Sequence, residues 1–544
     1  MLHETSDEEK DDMFSLLIRG AEILDGSGRQ SSRGDVAVSD DRIVEVGSHI
    51  HGASQTVLDA TGLILSPGFI DIHTHTDLSV FGRPLIESKA SQGVTLEVTG
   101  NCGIGLFPVE PRRRDLLADY LRMHDCLLPP DGLTWTDFEA YADTLDAIGL
   151  GLNLAPLIAH GALRIAAMGA EDRAPEPTEL ARMQELLGTA LRQGAWGLST
   201  GLIYPPGSFA DTTELVDLSR TLARQKAIYT SHIRGEGDTL LQALDEAVQV
   251  GRQSGARVQV SHLKALGYRN WGRAKEALAK LDAARRDGVD IAADQYPYEA
   301  TSTSLSALVP SWAHAGGVAE LLKRLGDPRV RERLCDGIRR TLDDRGGPAR
   351  VMVCRVGSAE NAALSGKTIA YIAESWGAAP EAAVLRLLRE EQAAVSAVFF
   401  SLSHEDVVTI MATEWIAVGS DGRGMSESQD GAAATHPRSY GTFPRVLGVY
   451  AREKGVLPLT RAAYKMTGLP ASRLGLQDRG LVRPGFAADL TLFDPGTVLD
   501  RADFQNPHHY CVGIEHVFVN GRAVVSHGRL TGDTPGRVLR KRSA

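Results

Sequence analysis

Cysteine is scarce in this 544-residue chain: five residues, an odd number, widely spaced, with no CxxC pair. A disulfide framework is therefore not expected, and a reducing compartment, the cytoplasm by default, suits the composition. Long apolar runs are also missing. No stretch stays apolar for the ~20 residues that a spanning helix needs. The first residues, MLHETSDEEKDDM, are acidic and polar, unlike a secretory signal. Residues 1–12 read as a disordered tail, and the basic end RVLRKRSA as a solvated one. Positive charge is in deficit: 58 Lys and Arg against 69 Asp and Glu give a net charge of −11. That balance argues against nucleic acid or an anionic membrane as partner, while leaving room for a local basic pocket.

What is present is an ordinary globular composition, 43% hydrophobic and 23% charged, in a chain too long for one core. From Phe14 to about Leu65 the chain reads as short strands and turns, and the texture returns at ADLTLFD and HVFVNGRAVV, where Asn520-Gly521 signals a hairpin. The two ends are expected to pair into one small β-domain, 13–65 plus 480–535. Between them, apolar runs alternate with helical periodicity. The candidate strands are GFIDIHT, VTLEVTG, LNLAPLIAHG, GAWGLSTGL, AIYTSH, RVQVSH, DIAADQYPYE and WIAVGSD. Stretches such as 179–193 and 239–253 carry apolar residues three and four apart, as helices packed on a sheet do. Repeated βα units of this number point to a (β/α)₈ barrel over 66–479. More than a hundred residues separate DQYPYE from WIAVGSDG. They are expected to form a lid-like insertion at about 300–365, with a helix capped by Asp327 and started by Pro328.

Chemistry concentrates where the apolar runs stop. GFIDIHTHTD delivers His73 and His75, GVTLEVTGNCG delivers Cys102, and IYTSH, VQVSH and IAVGSD end in His232, His262 and Asp421. Residues two apart in a strand share a face, so His73 and His75 project together, and Lys264 accompanies His262. Imidazoles with a carboxylate form a set that Zn²⁺ commonly occupies. A single strand histidine is ordinarily a core residue; four at strand ends, joined by an Asp, are not. The serines before them (Ser231, Ser261, Ser420) are expected to leave room for packing on the metal side.

This pattern resembles the amidohydrolase superfamily, whose members carry HxH, His, His and Asp on barrel strands one, five, six and eight. Many also hold a carbamylated lysine on strand four. Here that strand, GAWGLSTG, has none, and Cys102 is the natural replacement, since a metal-bound thiol is held as thiolate. The chain is more specifically similar to the D-aminoacylases, the N-acyl-D-amino-acid deacylases, through SPGFIDIHTHTD, GLSTGLIYPPG, SHIRGEGD, VSHLK, DQYPYEATSTSL, HPRSYGTFPRVLG and GLVRPGFAADLTLFDP. The resemblance implies a metal-dependent TIM-like barrel with a small discontinuous β-sandwich domain from both termini. It implies zinc-dependent hydrolysis of N-acyl-D-amino acids. It further implies a tight Zn²⁺ site of Cys102, His232 and His262, and a second, weaker position among His73, His75 and Asp421. Asp421 becomes the catalytic acid/base, Arg438 the holder of the substrate carboxylate, and Lys264, Tyr204, Tyr296 and Ser302 the rest of the pocket.

The residues fit that chemistry in their own right. Amide hydrolysis needs an activated water, a polarised carbonyl and a proton for the leaving amine, which zinc and a carboxylate supply. Arg438 offers a planar fork for a carboxylate, though a surface ion pair is the alternative. The run between Asp421 and Arg438 is longer than expected for the family and rich in Gly, Ala and Ser. His160 ends a strand and is a further candidate, whereas His404 reads as a helix start on the surface. Other functions remain open from sequence alone: a cyclic amidase or deaminase on the same scaffold, or a non-catalytic barrel. The latter should have lost ligands, and all six are kept.

Overall fold

The computed structural model describes residues 13–430 and 433–542, so the expected tail at 1–12 lies outside the described residues. The chain opens with strands β1 (Phe14–Ile23), β2 (Ser32–Ser39), β3 (Arg42–Gly47), β4 (Ser54–Asp59) and β5 (Ile64–Pro67). It closes with β18 (Leu490–Phe493), β19 (Ile514–Val519), β20 (Arg522–Ser526) and β21 (Arg529–Leu530). Strands from both ends share one nine-stranded sheet, joined where β5 pairs antiparallel with β18. The alternation seen in the sequence explains the join. Leu16, Ile18, Val36 and Val38 from one end and Leu490 and Leu492 from the other enter one apolar cluster. Asn520 and Gly521 form the β19–β20 turn with φ of 48° and 80°, the left-handed pair that a two-residue hairpin requires.

Between these ends run parallel strands: β6 (Phe69–Asp71), β7 (Val94–Thr99), β8 (Asn153–Pro156) with its continuation β9 (Ile158–Ala159), β10 (Gly197–Gly201), β11 (Ile228–His232), β12 (Arg257–Val260), β13 (Ile291–Gln295) and β17 (Ile416–Val418). Pairing runs β6–β7–β8 in one sheet and β9–β10–β11–β12–β13–β17 in another. The two sheets meet at both ends. Leu157 donates to the Thr99 carbonyl at 2.9 Å, and beyond β17 Asp421 donates to the His73 carbonyl at 2.8 Å while His75 donates to Gly422 at 2.7 Å. The helices expected at 179–193 and 239–253 are Pro177–Gln193 and Leu240–Ser254. Each turns its apolar stripe inward, burying Met183, Leu187 and Leu191 in the first and Leu240, Leu244 and Val248 in the second.

The long connection from β13 to β17 carries its own antiparallel sheet, order β14–β16–β15, from Thr301–Ser304, Ser396–Phe399 and Val351–Arg355 respectively. Five α-helices among the described residues accompany it along the connection: Val318–Gly326, Arg331–Asp344, Ile369–Ser375, Pro380–Glu390 and His404–Met411. Asp327 is not the cap expected of it. The helix starts at Arg331 after Val330, and Asp327 instead accepts the Arg329 N–H at 2.9 Å, closing a turn. An Asp before Pro satisfies this local turn as readily as a helix end, and the turn wins because Arg329 pairs back to the same carboxylate. No helix among the described residues is long and apolar enough to cross a membrane.

Candidate metal centre and active site

Each parallel strand hands its chemistry to the loop after it. His73 and His75 follow β6, Cys102 follows β7, Tyr204 follows β10, and His232 ends β11. His262 and Lys264 follow β12, Tyr296 follows β13, and Asp421 follows β17. The turn out of the strand is sharp at three of these positions. Cys102, His262 and Asp421 take φ of 55°, 36° and 52°, a left-handed backbone that ordinary side chains avoid. Strain held at three would-be ligands is what a preorganised site shows. Gly201, at the end of β10, lets the Cys102 loop close in: a Cβ there would stand 1.9 Å from the Cys102 carbonyl oxygen.

Of the eleven residues singled out from the sequence, all but His73 line one cavity. His73 lies just beneath, 1% exposed, with its Nε2 3.3 Å from Cys102 Sγ. His262 Nε2 is 3.4 Å from the same sulfur, and His73 Nε2 is 3.4 Å from Asp421 Oδ1. His75 Nε2 reaches Asp421 Oδ1 at 3.0 Å. Ligand atoms about 2.1–2.3 Å from one tetrahedral ion are spaced at roughly 3.4–3.7 Å, so these separations suit a shared cation. Among the described residues, two sets converge closely enough to hold one: His73, Cys102, His262 and Asp421, and His232, Glu236 and His262. His232 also bears on the Cys102 thiol, helping to lower it. The Cys102 sulfur touches His73 as well as His262, while His232 Nε2 faces Glu236 Oε1 at 3.7 Å. Buried atoms without a hydrogen bond among the described residues also suit a metal's donor set: both ring nitrogens of His232 and Nδ1 of His75.

The electrostatics follow from this crowding. Burial opposes charge on Cys102, but His73 and His262 beside it draw the thiol well below its usual range. Burial likewise lowers His73, yet the Cys102 and Asp294 charges raise it well above an ordinary imidazole. Burial would lift Asp421, and Arg438 with the neighbouring histidines holds it far below the usual carboxylate range.

Two carboxylates orient the ligands, and sequence reasoning passed over both. Asp294, inside DQYPYE, stands 3.1 Å from His73 Nδ1 and accepts the His262 backbone N–H at 2.7 Å. Glu236, inside SHIRGEGD, lies 3.2 Å from His262 Nδ1 and takes a 2.6 Å hydrogen bond from Lys264. Acids behind imidazoles fix the ring tautomer, freeing Nε2 for a metal. The available signal was position: Glu236 falls four residues after His232, and Asp294 ends a strand. Lys264 does share the face of His262, with its Nζ 2.7 Å from Nδ1.

The remaining candidates divide. Arg438 begins helix Arg438–Arg445 and is engaged within the site. One arm meets Asp421 Oδ2 at 2.5 Å and the other donates to the Ser302 carbonyl at 3.0 Å. Tyr204 bonds Thr303 at 2.9 Å, whereas the buried Tyr296 hydroxyl has no hydrogen bond among the described residues. Ser420 does not pack on the metal side; its hydroxyl accepts from Lys89 at 2.6 Å on the opposite face of the strand, because alternate residues face opposite ways. His160 is buried against Glu214 at 2.7 Å and does not line the cavity. His404 starts helix His404–Met411, is partly exposed and pairs with Glu299.

Residues 56–525 match the model of the amidohydrolase family. The chain belongs to that family. Among known amidohydrolases, the N-acyl-D-aspartate deacylase of Alcaligenes xylosoxydans xylosoxydans is 37% identical over 525 residues, covering 96% of this chain and 94% of that one. The D-aminoacylase of the same organism is 36% identical, with 98% of both chains covered. The crystal structure of the Bordetella bronchiseptica N-acyl-D-glutamate deacylase is 35% identical at a TM-score of 0.82, covering 97% of this chain and 100% of that chain. That protein was complexed with zinc and a phosphonate inhibitor mimicking the tetrahedral intermediate of its reaction. Within the amidohydrolases, this chain therefore groups with the D-aminoacylases.

Proposed function

We propose that this amidohydrolase uses zinc to cleave the amide bond of N-acyl-D-amino acids, releasing a carboxylic acid and the free amino acid. The observation that carries the reading is the convergence of four histidines, a cysteine and an aspartate from five strand ends. D stereochemistry rests on the names of the similar proteins. The architecture fits: the parallel strands form a (β/α)₈ barrel over 66–479, the terminal strands (13–65 plus 480–535) a β-sandwich domain, and the segment beginning near 300 covers the mouth. Cys102, His232 and His262 would hold one zinc tightly, with His73, His75 and Asp421 around a second, weaker position.

Zinc, when bound, supplies Lewis acidity, polarising the scissile carbonyl and acidifying a water. Asp421 accepts the proton of the attacking water and returns it to the departing nitrogen. Arg438 carries five donors, of which its contacts with Asp421 and Ser302 use two, so the fork retains capacity for the substrate α-carboxylate. The Tyr296 hydroxyl, buried and unpaired, donates to the substrate once it enters. Lys264 and Glu236 hold the His262 ring in place.

The test is a panel of N-acetyl amino acids, in both enantiomers, incubated with zinc-loaded protein while free amine is measured. Release from D substrates is expected. Absence of amine from every member would reject the reading.

A further inference from the structure

The cavity is far more basic than the chain that builds it. Six cationic side chains line it, Arg83, Lys264, Arg345, Arg355, Arg423 and Arg438, against three acids, Asp125, Glu236 and Asp421. The acids are already engaged. Asp125 meets Arg355 at 3.4 Å and Arg423 at 3.1 Å, Glu236 meets Lys264 at 2.6 Å, and Asp421 meets Arg438 at 2.5 Å. Arg345 differs: no hydrogen bond or ion pair engages its side chain among the described residues. Its guanidinium lies over the Phe399 ring, 4.9 Å from the centroid.

Local structure explains how Arg345 reaches the cavity. It caps the C-terminal end of helix Arg331–Asp344, its N–H bonded to the Thr341 and Leu342 carbonyls at 3.2 and 3.1 Å. Gly346 and Gly347 then turn the chain away with φ of 95° and 94°. Phe399, on β16, fixes the plane of the fork. Burial lowers the guanidinium pKa, opposed chiefly by the Glu236 carboxylate, and Arg345 lines the same cavity as Glu236, Tyr204, Lys264 and Tyr296.

An arginine held in place inside a cavity, with its donors unspent, suits a planar anion from outside. We propose that Arg345 binds a second carboxylate on the substrate, that of the amino-acid side chain, making N-acyl-D-aspartate or N-acyl-D-glutamate the preferred class. This rests on the deacylase reading above, with Arg438 taking the α-carboxylate. Charge supports the choice: Lys264, Arg355, Arg423 and Arg438 meet the three acids of the cavity while Arg345 meets none, and a side-chain carboxylate answers it where an apolar side chain does not.

The experiment compares kcat/KM for N-acetyl-D-glutamate, N-acetyl-D-aspartate and N-acetyl-D-leucine in the wild-type enzyme, Arg345→Met and Arg345→Lys. The wild type should favour the acidic substrates. Arg345→Met should lower the acidic-to-leucine ratio at least about tenfold. Arg345→Lys should recover part of that ratio and guards against a folding defect. An unchanged ratio in Arg345→Met, including equal loss on all three substrates, would overturn the proposal, as would a wild type indifferent to side-chain charge. A wild type inert toward all three would instead overturn the deacylase reading beneath it.

Discussion

Two groups of buried charge occupy the same strand ends, one just below the other, and they are completed to different degrees. In the lower group the Lys89 ammonium meets Asp71 at 2.8 Å, Ser420 at 2.6 Å and Glu97 at 3.1 Å, so its three donors have three acceptors. Asp71 uses its other oxygen on the Ser420 N–H at 2.8 Å and the His73 N–H at 3.3 Å. Lys89, Asp71 and Glu97 are all fully buried. In the upper group, both ring nitrogens of His232 and Nδ1 of His75 are buried without a hydrogen bond among the described residues, the Glu236 carboxylate lying 3.7 Å from His232 Nε2. The lower group joins β6, β7 and the end of β17 into one frame; the upper one holds capacity in reserve. The lower group is the more nearly satisfied, Glu97 Oε2 being its one atom without a hydrogen bond among the described residues, and a nearly satisfied cluster braces where an open one awaits a ligand.

Three substitutions test that division, from the largest effect to the smallest. Asp421→Asn, in the upper group, should lower kcat about 10²–10⁴-fold with the unfolding midpoint preserved. Turnover near the wild-type level, measured under single-turnover conditions, would take Asp421 out of the chemistry. Lys89→Met, in the lower group, should destabilise the protein by about 3–5 kcal/mol, because two buried carboxylates lose their counter-charge. Denaturant unfolding reads this directly, and a cost below about 1 kcal/mol would mean that the lower group is no brace. Cys102→Ala should weaken zinc binding by about 10–100-fold or more, with little change in apo-protein stability, as removal of a ligand should exceed removal of its support. Full zinc after dialysis against a competing chelator would return Cys102 to a purely structural role.

The upper group was largely legible in the sequence; the lower was not. His73, His75, Cys102, His232, His262 and Asp421 each interrupt an apolar run with a side chain that such runs seldom contain, so each could be read singly. Lys89 and Asp71 look like ordinary polar residues, and only pairing across the ring of strands brings them together. Asp294 and Glu236 were hidden for a related reason: their meaning lies in a ring nitrogen contributed by another strand. Arg438 lines the cavity, but its engagement with Asp421 depends on a helix start that spacing does not reveal. Helices and strands were legible because periodicity is local. Asp327 misled because one side chain serves two local structures equally well.

The sheet shared by both ends carries a consequence for biogenesis. Ile64 and Leu65 of β5 pair on one side with Glu22 and Ile23 of β1, made just before them, but on the other side with Phe493 and Leu492. At ~5–20 residues per second, more than 400 residues of synthesis impose a delay of about 20–85 s between the two. During that interval the ribosome-bound chain presents β5 as an unpaired edge while the central strands are still emerging, so the nascent protein is most exposed to misassembly at the end it made first.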